Sequence, residues 1–409
     1  WKARIPLVKI YPADAMGGAL YIKNGSLEFA GDSMLMNNTA TNGGAVYNNG
    51  GTVTITDAVF TNNTATENGG AVYNKGGEVN MSAGTISNCK ASSNNGGAIY
   101  NPSTFNMSGG TITGCSAKYG GGIDNHGGAV SFTGGTITGC SASTCGGIYN
   151  TASATTTIDG GKISACTGSY GAGISVYSGS VTLNSGSVSA DKGNPIAKAN
   201  NTANTCTIDI NGGSVLSSET GGSAISFDVK GGTLNINGGT IEAKGPSAYA
   251  VYNTQGTVNI NEGSTLHTAY RFGYVKAGSI NINGGLLDGY DGIYVVSSTD
   301  AETKLTIKGG EMKLSKSTSN CAWFYTNSAS DKIITLDIQG GKFKCGGDVF
   351  TNTADKTAAG NGMPKGSVKK ISGGLFYAYT DAMSTMAANA GCKFSAEKNA
   401  DGYYSVIPK

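Results

Sequence analysis

Residues 43–74 read GGAVYNNGGTVTITDAVFTNNTATENGGAVYN, a stretch that begins and ends on the same six letters. Gly43 and Gly69 are 26 residues apart, longer than a hairpin and shorter than a βαβ unit, and nothing between them has a helical pattern. Self-similarity at a fixed period decides the architecture before any local reading does. Copies of the motif start at Gly17 (GGALY), Gly43, Gly69 and Gly96, with looser ones at Gly120 (GGGIDN), Cys145 (CGGIYN) and Gly171 (GAGISV). A second signature, typically INGGTI, recurs half a period away, from Met107–Ile112 through Ile236–Ile241 to Ile371–Phe376.

Each repeat holds about three short strands of period-2 alternation: one on AVYN, one on TVTIT, one on the run after the second glycine pair. Such a unit buries no core alone, but stacked turns do, each strand pairing with its equivalent ~4.8 Å away. The expected fold is therefore all-β, a right-handed single-stranded parallel β-helix (β-solenoid) of about fourteen turns over 17–370. A four-stranded propeller blade needs ~40 residues or more, too many for this period. Residues 1–16 are expected to form an N-terminal cap strand. Residues 371–409 are expected to form a C-terminal cap, with a short helix near Asp381–Ala388 and a hairpin turning at Asp401-Gly402.

Composition narrows the partners. Glycine is the outlier, 66 of 409 residues, without a Gly-X-Y period; charged residues make up 13% and the net charge is +2. That balance gives no reason to expect nucleic acid or insertion into a membrane. Arg4 and Arg271 are the only arginines, so a site built on several guanidinium forks is not expected. The chain starts at Trp1 without a signal-peptide pattern, and is read as a segment of a larger exported protein, extracellular or on a bacterial cell surface.

Strand parity gives each letter of the motif a place. Val46 points inward, Tyr47 outward, and Asn48 inward at a bend. Asn48, Asn74, Asn101, Asn125 and Asn150, with Asn253 further on, are expected to stack as a structural amide ladder. Tyr47, Tyr73, Tyr100 and Tyr149 form an outward column, interrupted at Asp124 and resumed at Tyr252, Tyr294 and Tyr325. It is a candidate ligand platform for sugar faces, or simply a stack that stabilises neighbouring turns.

Cys89, Cys115, Cys140 and Cys166 recur at intervals of 26, 25 and 26, each three residues after an inward isoleucine. They form a candidate disulfide ladder, Cys89–Cys115 and Cys140–Cys166 being the economical pairing. The alternative is a file of buried thiols, because stacked equivalents hold their Cβ atoms slightly too far apart. Four ligands in a straight column do not make a tetrahedron, so no metal site is expected. No cofactor is expected either. A Thr lattice (Thr111, Thr113, Thr136, Thr138) covers about three turns and dissolves at Lys162 and Glu242, too short for an ice-binding face.

GGAVYN at Gly43 and Gly69, with Phe60-Thr61-Asn62-Asn63 between, resembles the paired GGA(I/L/V) and FxxN repeats of the chlamydial polymorphic outer-membrane-protein (Pmp) family. The resemblance is specific over about residues 17–150. The tail (GGLF … GYYSVIPK) looks like the endings of repeat domains in large surface proteins of gut Firmicutes. The resemblance implies an exported, adhesive surface module and brings no catalytic residues; residues 371–409 are not expected to form the membrane β-barrel of that family.

The function expected is a non-catalytic adhesin or stalk that binds a host or environmental glycan or protein. The loops Ser315–Asp331 and Lys344–Lys370 are the natural binding places. A second reading is self-association into an extracellular filament; a third is a polysaccharide-degrading enzyme. Against the third, Asp159, Asp209, Asp228, Asp288 and Asp337 are scattered singly, and His126 and His267 are solitary.

Overall fold

The computed structural model describes residues 17–198, 205–218, 220–328 and 331–409; the cap strand expected over 1–16 lies outside them. The protein is a β-solenoid of stacked parallel coils, about 12 turns of ~26 residues. Counting corner signatures gives the slightly higher figure of fourteen; the final signature, Ile371–Phe376, still pairs parallel with the coil before it, and the chain then leaves the stack for a helix. The chain divides into two compact units. Among the described residues, one covers 17–198, 206–208 and 213–218; the other covers 205, 209–212, 220–328 and 331–409.

In the first unit the repeat stacks in register. Val46, Tyr47 and Asn48 lie beside Val72, Tyr73 and Asn74, and Ile99 and Asn101 beside Ile123 and Asn125. A second file runs Phe60, Ile86, Ile112, Ile137, Ile163, every member buried. Between these inward residues the Thr positions face out and are half-buried, as parity requires. A further short file was not singled out from the sequence. Ala40, Ala65 and Ala91 stack in register, and the file continues on Ala117 and Ala142. Its signal is a small residue two positions after the Asn or Cys of the bend.

The glycine pair has two separate causes. Gly43 adopts φ +64°, the left-handed region that L side chains avoid. Gly44 has an ordinary φ but no room, since a Cβ there would stand 2.1 Å from the Gly70 carbonyl oxygen of the next rung. One glycine turns the corner and the other lets successive corners stack. The second corner, before the Cys file, uses Asn62 (φ 55°), Asn88 (φ 53°), Gly114, Gly139 and Ala165 (φ 52°) in the same left-handed conformation. Asn and Gly suit it, and Ala does not.

In the second unit the core keeps its stacking: Leu234 and Ile236 lie beside Val258 and Ile260, then Ile280 and Ile282, then Leu305 and Ile307. At its end Thr380 caps the helix Asp381–Asn389 by accepting from the Met383 backbone N–H (3.3 Å), and Met383, Met386 and Ala387 are buried. The strand Tyr404–Pro408 pairs antiparallel with both Leu375–Phe376 and Cys392–Phe394. The hairpin contains Gly402 at φ 84°.

Candidate functional site

The inner asparagines of the first unit form a hydrogen-bonded ladder. Each Nδ2 donates to the Oδ1 of the next rung: Asn48 to Asn74 (2.9 Å), Asn74 to Asn101 (2.8 Å), Asn101 to Asn125 (3.0 Å) and Asn125 to Asn150 (2.9 Å). All five are fully buried. Asn48 also closes its own turn, accepting from Gly51 N–H and donating to Gly51 C=O. Every amide is occupied, so this ladder builds the coil and offers nothing to a ligand.

The tyrosine column is not an open platform. Tyr21, Tyr47 and Tyr73 are stacked at 5.3 and 4.8 Å, and Tyr100 lies tilted against Tyr73 at 4.9 Å. Tyr47, Tyr100 and Tyr149 are buried and Tyr73 half-buried. Tyr47, Tyr73 and Tyr100 each have a ring on both sides, and a sugar needs a face. Asp124 interrupts the column, and rings from elsewhere fill the space: His126 lies 5.4 Å from Tyr100, and Tyr119 stacks on Tyr149 at 5.6 Å. Asp124 is fully buried and neither carboxylate oxygen has a hydrogen-bond partner; His126 Nδ1 is 3.8 Å away. Burial pushes this carboxyl well above the usual range and lowers His126.

The disulfide reading of the Cys89–Cys166 file gives way to its alternative. All nine cysteines are free thiols, and these four are buried. In-register strands hold equivalent Cβ atoms about one rung apart, beyond the disulfide range. Each Sγ instead lies near the carbonyl two residues back, as in Cys89 to Ser87 (3.3 Å) and Cys115 to Thr113 (3.4 Å). Asn63 Nδ2 donates to Cys89 Sγ at 3.8 Å, so the thiols continue the bend asparagines.

The aspartates do not converge. Asp159, Asp209 and Asp337 each accept from a neighbouring amide, Asn184, Asn235 and Gln339 respectively. Asp228 accepts from Thr254 and Gln255. Asp288 lies in register with His267 on one side and Lys313 on the other. Among the described residues no group of three or more His, Cys, Asp or Glu gathers around a metal-sized space.

The second unit is where half-exposed chemistry concentrates. The true register of its aromatic file is Tyr252, Tyr274, Tyr294, Trp323. Tyr274 was missed because the turn carrying it lacks the glycine pair. Tyr325 stands opposite Val296, two positions off the file. Tyr252 and Tyr274 stack at 4.5 Å, while Tyr294 meets Trp323 tilted at 5.3 Å. Tyr249, Arg271 and Asp291 form the adjoining file.

The Arg271 guanidinium lies 4.9 Å from the Tyr270 ring, 4.9 Å from Tyr294 and 5.0 Å from Trp323. Its Nε approaches Asp291 Oδ2 at 3.5 Å, and the two side chains are only 12% and 13% exposed. Asp291 Oδ1 is fixed by the N–H groups of Gly292 (3.0 Å) and Asn320 (3.1 Å). Burial, with Tyr270 beside it, pushes the Tyr249 phenol up to about 12. The Trp323 indole N–H is buried and has no acceptor.

The strand Leu286–Val296 that carries Asp291 and Tyr294 also carries Asp288, which lines a cleft of about 580 Å³. Glu311, Lys313, Lys342, Lys344 and Tyr403 are among its other walls. Glu311 pairs with Lys313 (3.3 Å) and Lys342 (3.6 Å), so the acids and bases of this cleft are matched. Tyr290, between the two features, is 42% exposed with Lys316 over its ring. In comparisons with known proteins, the chain matches no family model, no curated protein and no solved structure.

Proposed function

We propose that this chain is a non-catalytic, extracellular binding module, and that its ligand is a glycan held along the strand Leu286–Val296. One observation carries this reading: Arg271 is wedged among Tyr270, Tyr294 and Trp323 and paired with Asp291 at low exposure. Rings tilted against one another keep part of their faces and edges open, unlike the parallel stack of the first unit. A charged pair beside such rings supplies directional hydrogen bonds, the combination that fixes orientation in a mostly apolar site. The GGA and FxxN motifs, with their Pmp-like character, support a surface-exposed adhesive role. The scattered, amide-paired aspartates favour binding over hydrolysis.

Probing the purified chain on an array of glycans and surface proteins tests this. A glycan signal is expected in the wild type and lost at least tenfold in Arg271→Ala and Trp323→Ala with the fold intact by circular dichroism. A signal from protein ligands alone, or release of sugar from any polysaccharide, sinks the proposal.

A further inference from the structure

The outward amides of the second unit stack as the inner ones of the first do, but their hydrogen-bonding groups are not used up. The strands Thr233–Ile236, Thr257–Ile260 and Ser279–Ile282 lie in register without a bulge. Their outward asparagines form two parallel files: Asn235, Asn259, Asn281 and, two residues on, Asn237, Asn261, Asn283. Asn235 continues the first file to Asp209 (2.7 Å) and Asn237 the second to Asn211 (2.8 Å), which makes four rungs. Asn237 and Asn283 are exposed, and the other four asparagines of the three strands are half-buried.

An inner amide such as Asn74 donates both N–H groups, to Asn101 and to the Thr104 carbonyl. Asn235, Asn237, Asn259 and Asn261 each donate once, down the file, and accept once, from the rung above. A carboxamide has two N–H donors and two acceptor lone pairs, so each of these keeps one donor and one acceptor for a ligand. The ladder bonds also hold the side chains in place, so little rotamer freedom remains to be lost on binding. Along the files no charged side chain stands between Asp209 at one end and Lys304 and Lys308 on the rung beyond Asn281 and Asn283. At ~4.8 Å per rung and ~3.3 Å per residue the grid covers roughly 300 Å². A standard protein interface needs ~800 Å² per partner. The grid is too small for a second copy of the chain and suits a single polymer strand.

We infer that this amide grid is a separate binding surface for one extended, uncharged glycan chain, lying along the two files and across the strands. Sugar hydroxyls donate and accept at once, as the spare groups of each amide require. A linear chain of sugar rings meets successive rungs with successive rings, so weak single contacts add along its length. The grid uses none of Arg271, Tyr294 or Trp323. It therefore adds a site to the binding reading above and commits that site to neutral ligands.

The test is calorimetric titration of the folded chain with cello-oligosaccharides of two to six sugars, and with oligogalacturonates of the same lengths as charged controls. Expected is an affinity that rises at least fivefold between two sugars and four, levels off beyond the four rungs, and does not change with salt. The oligogalacturonates are expected to bind more weakly than their neutral counterparts. The triple variant Asn235→Thr, Asn259→Thr, Asn281→Thr removes one file while keeping residues that suit a strand. It is expected to bind the hexamer at least fivefold more weakly with an unchanged circular dichroism spectrum. Asn283→Lys, a charge placed at an exposed position of the grid, is expected to weaken binding likewise. Absence of binding, affinity independent of length, or preference for the charged series overturns the inference. So does a triple variant that binds as the wild type does; if Arg271→Ala abolishes that binding instead, the chain belongs to the aromatic cluster and the earlier reading stands without this one. A dimer seen in sedimentation and dissolved by the triple variant gives the grid to a second copy and overturns the inference as well.

Discussion

The two units solve the same stacking problem with their polar groups on opposite sides. In the first, the bend position is asparagine in five successive coils, and the amides bond to one another inside the core. In the second, Asn253 stands alone: its register neighbours are Phe227, then Val275, Val295 and Phe324, all fully buried. There the amide ladders lie outside instead. Asn281, Asn259 and Asn235 pass a bond down to Asp209 (2.9, 2.8 and 2.7 Å), and Asn283, Asn261 and Asn237 pass another to Asn211 (2.8, 2.6 and 2.8 Å). A buried ladder fixes register, because any slip strands amides in an apolar core. Apolar stacks tolerate irregular coils. That freedom goes with the longer loops, the tilted rings and the Arg271 cluster of the second unit, whereas the first is regular and closed.

The most damaging test of that regularity is Gly70→Ala. Its Cβ would stand 2.1 Å from Gly97 O, 2.5 Å from Lys90 N and 2.6 Å from Lys90 C, all backbone. No side chain gives way there, so a loss of roughly 4 kcal/mol or more is expected. Hydrogen exchange should show unprotected amides through the neighbouring coils of the first unit. Unchanged protection would mean the corners are looser than their stacking implies.

The comparison itself is sharpened by a matched pair, Asn101→Leu and Asn253→Leu. The first strands the buried Oδ1 of Asn125 and leaves the Asn74 Nδ2 only its bond to the Thr104 carbonyl, and about 2 kcal/mol is expected. The second removes only a turn cap, Asn253 with Gly256 and the Ser279 carbonyl, in a file that is otherwise apolar. About half that loss is expected, and equal losses in urea melts would show that the ladder adds nothing beyond capping.

Asp124 tests the cost of breaking the pattern. Its carboxyl is raised by burial, so it binds its proton more tightly folded than unfolded. The stability tied to that proton is complete below the ordinary value of 3.8 and is lost as pH climbs through the raised one. Tyr100, Tyr149, Cys145 and His126 surround it, and none supplies a compensating charge at neutral pH. Asp124→Asn should therefore gain about 1–3 kcal/mol at pH 8 and little at pH 4. A uniform effect across pH would refute the assignment.

How far this was legible in the sequence follows the same divide. The period, the inward Ile and Val, and the positions of Asn48 to Asn150 can be read off because parity and repetition act together there. Residues 381–388 read as helix from local pattern, and the helix spans Asp381–Asn389. What parity does not reveal is lateral cover. It gives the direction in which Tyr47 and Tyr100 leave the strand, and says nothing of the rings that close over them. Nor does it align a turn without its marker, which is why Tyr274 and Trp323 escaped. Arg271 drew notice only for its rarity; of the three rings around it Tyr270 is its neighbour on the same strand, and Tyr294 and Trp323 come from two later strands distant in sequence.

The smallest expected effect is also the most local. The corner before the Cys file is left-handed in every coil that shows it, and Asn and Gly fill it at Asn62, Asn88, Gly114 and Gly139. Ala165 holds the same conformation at φ 52° with neither advantage: its Cβ crowds the following carbonyl and it has no side-chain amide to bond locally. The stack imposes this backbone, since Ile163 is locked between Ile137 and Val188 and Cys166 is buried immediately after the corner. Ala165→Gly relieves the clash without touching a packed side chain. Glycine's greater freedom in the unfolded chain offsets part of the gain, so a net stabilisation of about 0.5–1 kcal/mol is expected. Destabilisation in a urea melt would mean the corner is not held left-handed in solution. A gain would show that the first unit's regularity is enforced by its neighbours even where the residue itself resists.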